Sequence, residues 1–224
     1  MKLALFDVDG TLMDSQAMIL ASLTAAFTAE GLPLPSRSEM LGIVGLSLVK
    51  AMATLRPDDE AERHERLAQS YKQAFWGYRT DKSFPEVPFE GALDLLRRLQ
   101  ARDDVLIGIA TGKSQRGVRH IIEQFGLEGV FATIQTSDDA PSKPHPGMIL
   151  QAMAETGAEP RDTVMIGDAV FDIDMAHAAG VKVVAVSWGF QPRAVLERAR
   201  PHVMVNNFNE LERTLGALWQ DAAA

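Results

Sequence analysis

The sequence predicts an α/β fold: a doubly wound, Rossmann-like parallel sheet with an inserted α-helical cap. From about residue 88 onward, short apolar runs alternate with helical patterns. This alternation favours a parallel sheet covered by helices on both faces. Between residues 15 and 87, apolar residues repeat at helical spacing and form no convincing strand. We therefore expect a core built from 1–14 and 88–224, and a cap built from 15–87.

The core strands are predicted by apolar runs, the first of which ends at Asp7. The later runs lie near residues 105–110, 130–135, 163–167, 182–187 and 202–205. In the cap, the helical repeats are Ile19/Leu23/Phe27, Leu48/Met52/Leu55 and Leu67/Tyr71/Phe75/Tyr78. We interpret the aromatic side chains of the last repeat as core packing. Hinges between cap and core are expected near 14–15 and 84–88.

Two aspartates follow the first strand in the segment DVDGT, as Asp7 and Asp9. Gly10 lets the chain leave extended geometry, so both carboxylates can remain near the strand end. Two ionised carboxylates repel each other, and this cost falls when a divalent cation binds or when one carboxyl keeps its proton. The pair therefore indicates phosphoryl-transfer chemistry, although an isolated Asp-Gly turn would look the same.

Three further segments place polar residues between a predicted strand or loop and the start of a helix. They are ATGKS with Thr111 and Gly112, SKPHP with Lys143, and GDAVFD with Asp168 and Asp172. Ligands of open parallel sheets bind beyond the carboxyl ends of the strands, so we expect these segments to converge. Taken singly, the lysine would be a surface charge and Asp168 a helix N-cap.

The four segments in this order closely resemble the signature motifs of the haloacid dehalogenase superfamily of phosphohydrolases, and the resemblance spans the whole chain. The second aspartate of DVDGT, Asp9, makes the motif similar to that of the phosphatase and phosphomutase branches of the superfamily. The segment from Ser137 to Pro146 looks most like the phosphoglycolate phosphatase and β-phosphoglucomutase-like group. Gly112 departs from the pattern, because many members carry asparagine there as an additional phosphate contact.

The resemblance implies a Mg²⁺ ion as cofactor, and oxygen ligands together with a phosphate favour this ion. Its expected ligands are the side chains of Asp7 and Asp168 and the backbone carbonyl of Asp9. Asp172 is expected to orient a metal-bound water or Lys143.

The resemblance also implies the catalytic roles. Asp7 is expected to attack phosphorus and form an aspartyl-phosphate, and Asp9 to act as general acid and then as general base. The phosphoryl oxygens are expected to bind Thr111, the Gly112 N–H and Lys143.

Composition limits the alternatives. The 224 residues contain no cysteine, which excludes disulfides, thiolate metal sites and a cysteine nucleophile. The five histidines show no pair at metal-ligand spacing, which argues against zinc. A net charge of -8 argues against nucleic acid or an anionic membrane as partner. No apolar run is long enough for a signal peptide or a membrane span, so we expect a cytoplasmic monomer or weak homodimer.

We expect a phosphatase that hydrolyses a small phosphorylated metabolite such as 2-phosphoglycolate. A phosphomutase of the β-phosphoglucomutase type, which uses the same motifs, is one alternative. A non-enzymatic aspartyl-phosphate signalling module is another. Substrate specificity is expected from the cap loop Gly42–Leu48, with nearby Lys50 as a candidate cation for an acidic substrate.

Overall fold

The computed structural model describes residues 1–221, so residues 222–224 of the predicted core segment lie outside the described chain. The strands are β1 (Lys2–Phe6), β2 (Met13–Asp14), β3 (Val87–Pro88), β4 (Val105–Ala110), β5 (Thr133–Gln135), β6 (Thr163–Gly167), β7 (Lys182–Val186) and β8 (Val203–Val205). The helices are α1 (Gln16–Ala29), α2 (Arg37–Gly42), α3 (Leu48–Leu55), α4 (Ala61–Asp81), α5 (Ala92–Gln100), α6 (Gln115–Phe125), α7 (Gly147–Thr156), α8 (Val170–Ala179), α9 (Arg193–Arg198) and α10 (Phe208–Asp221). A short 3₁₀ helix at Pro160–Asp162 precedes β6.

Six of these strands form one sheet in the order β5-β4-β1-β6-β7-β8. Every neighbouring pair is parallel. The chain builds outward from β1 through β4 to β5, then crosses to the other side of β1 and continues through β6 to β8. The carboxyl end of β1 is therefore the topological switch point, where ligands of such sheets bind. The predicted doubly wound α/β fold is confirmed.

Alternating residues of the strands pack into two apolar layers, one on each face of the sheet. Ala4 and Phe6 of β1 contact the layer that contains residues of α5, α6 and α10. Leu3 and Leu5 contact the layer formed with α7 and α8. Because strand side chains alternate between faces, a sheet covered on both sides produces the continuous apolar runs seen in the sequence.

Helices α1 to α4 form a separate helical block around its own apolar cluster, which includes Leu23, Phe27 and Leu67. The helical spacing predicted α1, α3 and α4, but no repeat predicted the short helix α2. The sequence did not predict β2 and β3, which pair antiparallel where the chain leaves and re-enters the core. Two-residue strands carry no periodicity that a sequence can reveal. β5 is also shorter than predicted, since it begins at Thr133 and not near residue 130.

Within residues 1–221, we find no helix that combines the length and the apolar character needed to cross a bilayer.

Candidate active site

The carboxyl ends of three central strands place the predicted residues at one edge of the sheet. Asp7 follows β1, Thr111 follows β4 and Asp168 follows β6. The register is level, because Phe6 at the end of β1 pairs with Ile109 on one side and with Ile166 on the other. Polar groups after these strands are therefore held close together by the backbone of the sheet itself.

Asp7 is buried, with 1% of its surface exposed, and both its carboxylate oxygens lack a hydrogen-bond donor among the described residues. The nearest cation is Lys143, whose Nζ lies 3.2 Å from Asp7 Oδ1 and 2.5 Å from Asp172 Oδ1. The other oxygen of Asp172 accepts a hydrogen bond from the Ala169 N–H at 3.1 Å. Asp172 therefore holds Lys143 beside Asp7.

Asp168 lies in the same buried cluster and is not the N-cap of α8, which begins only at Val170. Its Oδ1 accepts a hydrogen bond from Thr11 Oγ1 at 3.1 Å, and its Oδ2 accepts one from the Phe190 N–H at 2.8 Å. Gly10, at φ +86°, passes directly beside it. A Cβ at Gly10 would approach Asp168 Oδ1 to 2.7 Å, so glycine is required here for close packing as well as for its backbone conformation.

Burial and mutual repulsion dominate the electrostatics of this cluster. Burial, followed by the neighbouring Asp172 and Asp7, raises the pKa of Asp168 well above its ordinary value. Burial also raises the pKa of Asp172 to about 6, even though Lys143 acts in the opposite direction. Burial alone would lower the pKa of Lys143, but the Asp172 and Asp7 carboxylates raise it. Three ionised carboxylates and one ammonium would leave two negative charges uncompensated in a buried site.

A divalent cation fits this charge deficit. One carboxylate oxygen from each of Asp7, Asp168 and Asp172 lies within 4.8 Å of the others. The unpartnered oxygens of Asp7 and the all-oxygen donor set match the preferences of Mg²⁺. Both oxygens of Asp172 and both oxygens of Asp168 accept hydrogen bonds, whereas those of Asp7 accept none from the described residues, so Asp7 is the side chain with the most free capacity for a cation.

Asp9 lies apart from this cluster, in an arrangement that the sequence did not predict. Lys113 Nζ lies 2.8 and 2.9 Å from the two carboxylate oxygens of Asp9, and Ser15 Oγ donates a hydrogen bond of 2.6 Å to the same carboxylate. Burial would lower the pKa of Lys113, but Asp9 and Glu86 raise it above its ordinary value. The ammonium is therefore charged and neutralises Asp9.

The ion pair continues into the cap. Glu86, at the return from the cap, lies with its Oε1 3.2 Å from Lys113 Nζ, and its Oε2 accepts a hydrogen bond from Arg79 Nη2 at the end of α4. All three side chains are buried: the exposed fraction is 2% for Glu86, 7% for Lys113 and 6% for Arg79. The result is a buried chain of alternating charges that connects the core to the cap.

A cavity of about 520 Å³ opens between cap and core above these residues. Asp7, Asp9, Thr111 and Gly112 form its floor, and Thr111 Oγ1 accepts a hydrogen bond from the Lys113 N–H at 3.3 Å. The predicted cap loop lines it, with residues 43–48 all contributing. The size is typical of a small-molecule site.

Tyr71 and Phe75 pack in the apolar cluster of the cap, as the sequence predicted, and they also form part of the cavity wall. One expectation about the cap needs correction. Lys50 is exposed on α3 and lies outside the cavity lining, so it is not the cap cation of this site. The cations that do line it are Lys72, Arg79, Lys113 and Arg116.

The cap loop contacts the core closely at Gly112. The Ser47 N–H donates a hydrogen bond of 2.9 Å to Ser142 Oγ. A Cβ at Gly112 would approach the Leu46 carbonyl oxygen to 2.7 Å and the Gly45 carbonyl oxygen more closely still. The backbone of the cap loop therefore occupies the space that the side chain of an asparagine would need, which accounts for glycine at this position.

Comparison with known proteins agrees with this geometry. The chain is 32% identical over 221 residues to the probable phosphatase IndB of Dickeya dadantii, covering 96% of this chain and 94% of that protein. It is 33% identical over 214 residues to the pyrophosphatase PpaX of Bacillus pumilus, covering 95% of each. The crystal structure of a hydrolase from Pseudomonas syringae superposes with a TM-score of 0.85 at 26% identity, covering 97% of this chain and 99% of that one. The profile of the haloacid dehalogenase-like hydrolases matches residues 4–186, and the chain belongs to this family.

Proposed function

We propose that this chain is a Mg²⁺-dependent phosphatase that hydrolyses a small phosphate monoester, 2-phosphoglycolate-like in size, through an aspartyl-phosphate on Asp7. The observation that carries the proposal is the carboxylate of Asp7, which is buried, lines the cavity and has Lys143, with Nζ 3.2 Å from Oδ1, as its one charged partner among residues 1–221. Neither oxygen is held by a directed hydrogen bond within this range. Such a carboxylate can bind a cation and attack phosphorus.

The negative charges of Asp7 and of the substrate phosphate must be neutralised before Asp7 can attack phosphorus. A carboxylate and a phosphate dianion repel each other strongly in a buried environment. Mg²⁺, held by the side chains of Asp7 and Asp168 and by the backbone carbonyl of Asp9, would supply the compensating charge. Lys143 adds a fixed positive charge next to Asp7, and Asp172 keeps its ammonium in place. Thr111 and the Gly112 N–H complete the set of donors for the phosphoryl oxygens.

Asp9 acts on the leaving group and then on water. As a general acid it gives its proton to the leaving-group oxygen when Asp7 bonds to phosphorus, and as a general base it takes a proton from the water that attacks the aspartyl-phosphate. In the structure its carboxylate is paired with Lys113. The acid step therefore requires Asp9 to leave Lys113 and take up a proton, which it then gives to the leaving-group oxygen when substrate is bound.

The test is release of inorganic phosphate from a panel of phosphate monoesters, with Mg²⁺ and with EDTA. We expect sustained, Mg²⁺-dependent release from at least one small monoester and none from Asp7→Asn. Conversion of β-glucose 1-phosphate to glucose 6-phosphate is followed in parallel. Isomer conversion far faster than phosphate release would overturn the proposal in favour of a phosphomutase. Full activity in EDTA would contradict the role of the cation.

A further inference from the structure

We infer that the leaving group of the substrate carries its own acidic group, a carboxylate or a second phosphate, and that this group binds to Arg79 of the cap and Lys113 of the core. The inference rests on the proposed phosphatase function and specifies the class of substrate. Arg79 and Lys113 are then the residues that select the leaving group.

Arg79 has unused hydrogen-bonding capacity. Its side chain is 6% exposed and lines the cavity. Nη2 donates to Glu86, whereas Nε and Nη1 have no acceptor within the described chain. The rings of Phe75 and Trp76 lie 4.8 Å from its guanidinium carbon and restrict where the group can move. Buried guanidinium N–H groups without an acceptor are unfavourable, so a ligand acceptor at this wall would complete the site.

Lys113 places a second cation next to the reaction. Its Nζ contacts both oxygens of Asp9, the residue proposed to protonate the leaving-group oxygen. An acidic group one or two bonds beyond that oxygen would therefore lie beside Lys113. When Asp9 turns to the leaving group, the ammonium loses one of its anionic partners. An acidic group on the substrate would replace that partner.

Glu86 shows that this pair of cations can hold an acid between them. Its carboxylate contacts Arg79 with one oxygen and lies 3.2 Å from Lys113 with the other. Glu86 itself is outside the cavity lining, whereas both cations face the cavity. Arginine binds carboxylate and phosphate in a planar, directional way, which suits recognition of either group.

The remaining walls of the cavity agree with an anionic leaving group. Lys72 and Arg116 add two more positive charges to the lining. The carboxylates of the lining are Asp7, Asp9 and Asp138, and the first two belong to the proposed chemistry. A substrate with a neutral leaving group would leave Nε and Nη1 of the buried Arg79 without an acceptor among the described residues.

The test compares specificity ratios measured on one enzyme preparation, so that the fraction of folded protein cancels. kcat/KM is measured with Mg²⁺ for 2-phosphoglycolate and for pyrophosphate, and each value is divided by that for 2-hydroxyethyl phosphate, which carries no second acid. We expect at least one ratio to exceed about 10 for the wild type. The substrate that gives the higher ratio identifies the acid as carboxylate or phosphate.

Arg79→Gln should lower that ratio about 10- to 100-fold, chiefly through KM, because a charged hydrogen bond is lost. Arg79→Lys keeps the charge but not the planar group, so its specificity ratio should lie between those of the wild type and of Arg79→Gln. Lys50→Gln removes the same charge from an exposed cap position and should leave the ratio within about twofold. Ratios near 1 for the wild type, or a ratio unaffected by Arg79→Gln, would overturn the inference.

The phosphatase proposal is tested separately by p-nitrophenyl phosphate in the same buffer. Hydrolysis of this substrate and of 2-hydroxyethyl phosphate in preference to both acids would refute the anionic leaving group and leave the phosphatase intact. Absence of phosphate release from every substrate would refute the phosphatase, and the inference with it.

Discussion

Replacement of Gly112 by alanine tests whether contact of the cap loop with the core is needed for turnover. The backbone at Gly112 has no positive φ, so alanine is acceptable there and only the added methyl group matters. Its Cβ would lie 2.7 Å from the Leu46 carbonyl oxygen, whereas ordinary contacts begin at 3.4 Å. The loop must therefore withdraw by at least ~0.7 Å from this oxygen, and by more from that of Gly45.

Such overpacking typically costs about 1–3 kcal/mol. Since 1.36 kcal/mol corresponds to a factor of ten, the equilibrium constant between the loop in contact and the loop withdrawn should fall roughly 5- to 150-fold. We expect kcat/KM for phosphate release to fall, by at most this factor. Hydrogen exchange of the Ser47 amide, which is bonded to Ser142 in the structure, should become faster because the same contact opens more often.

Gly42→Ala is the matched control, because a Cβ there has nothing within 4 Å and the glycine lies in the same part of the cap. It should leave both measurements unchanged. If Gly112→Ala keeps wild-type kcat/KM and wild-type exchange at Ser47, then close contact between the loop and Gly112 is not part of the working enzyme.

Asp7→Asn should reduce phosphate release on the order of a millionfold with an unchanged circular dichroism spectrum, and a residual activity above about a tenth would exclude Asp7 as nucleophile. Asp168→Asn should sharply raise the Mg²⁺ concentration needed for half-maximal activity, and an unchanged Mg²⁺ titration would remove Asp168 from the metal site. The pKa values of Asp168 and Asp172 are raised in the folded protein, the latter to about 6, so these two carboxyls bind more protons in the metal-free folded protein than in the unfolded chain at pH values above their ordinary pKa. The stability that these two protonated carboxyls contribute to the metal-free protein is therefore lost as the pH rises. Binding of Mg²⁺ to the ionised carboxylates should restore it. The increase in Tm on replacing EDTA by Mg²⁺ should be larger at pH 8 than at pH 5, and equal increases would contradict this linkage.

The residues that the sequence could place are those that the sheet itself positions. Asp7, Thr111 and Asp168 each follow an apolar run, and parallel strands bring such ends together whatever the rest of the chain does. The expectation that they converge follows from local pattern and topology alone. Lys113, two residues beyond Thr111, was within the same motif but was not identified. A lysine directly after a strand end that faces acidic residues is the signal that could have indicated its ion pair with Asp9.

Arg79 and Glu86 could not be identified from the sequence. Their nearness to Asp9 depends on how the cap rests on the core, and helical periodicity contains no information on this contact. For the same reason the sequence predicts the packing of Tyr71 and Phe75 but not their contact with the cavity, since an apolar helix face looks identical whether it packs on a neighbour or borders a cavity. Lys50 is close to the cap loop in sequence, which predicts a contact with substrate, but α3 places its side chain on the exposed surface.

The most direct test of the account is to trap the phosphoryl group on Asp7. Asp9→Asn keeps the nucleophile but lacks the base that activates water, and p-nitrophenyl phosphate has a leaving group that needs no protonation. With Mg²⁺ this variant should release about one equivalent of nitrophenolate in a burst. Reduction of the quenched protein with borohydride should then convert residue 7 to homoserine, detected by peptide mass spectrometry. A burst without modification at residue 7, or modification at another carboxylate, would contradict the assignment of Asp7 as the nucleophile.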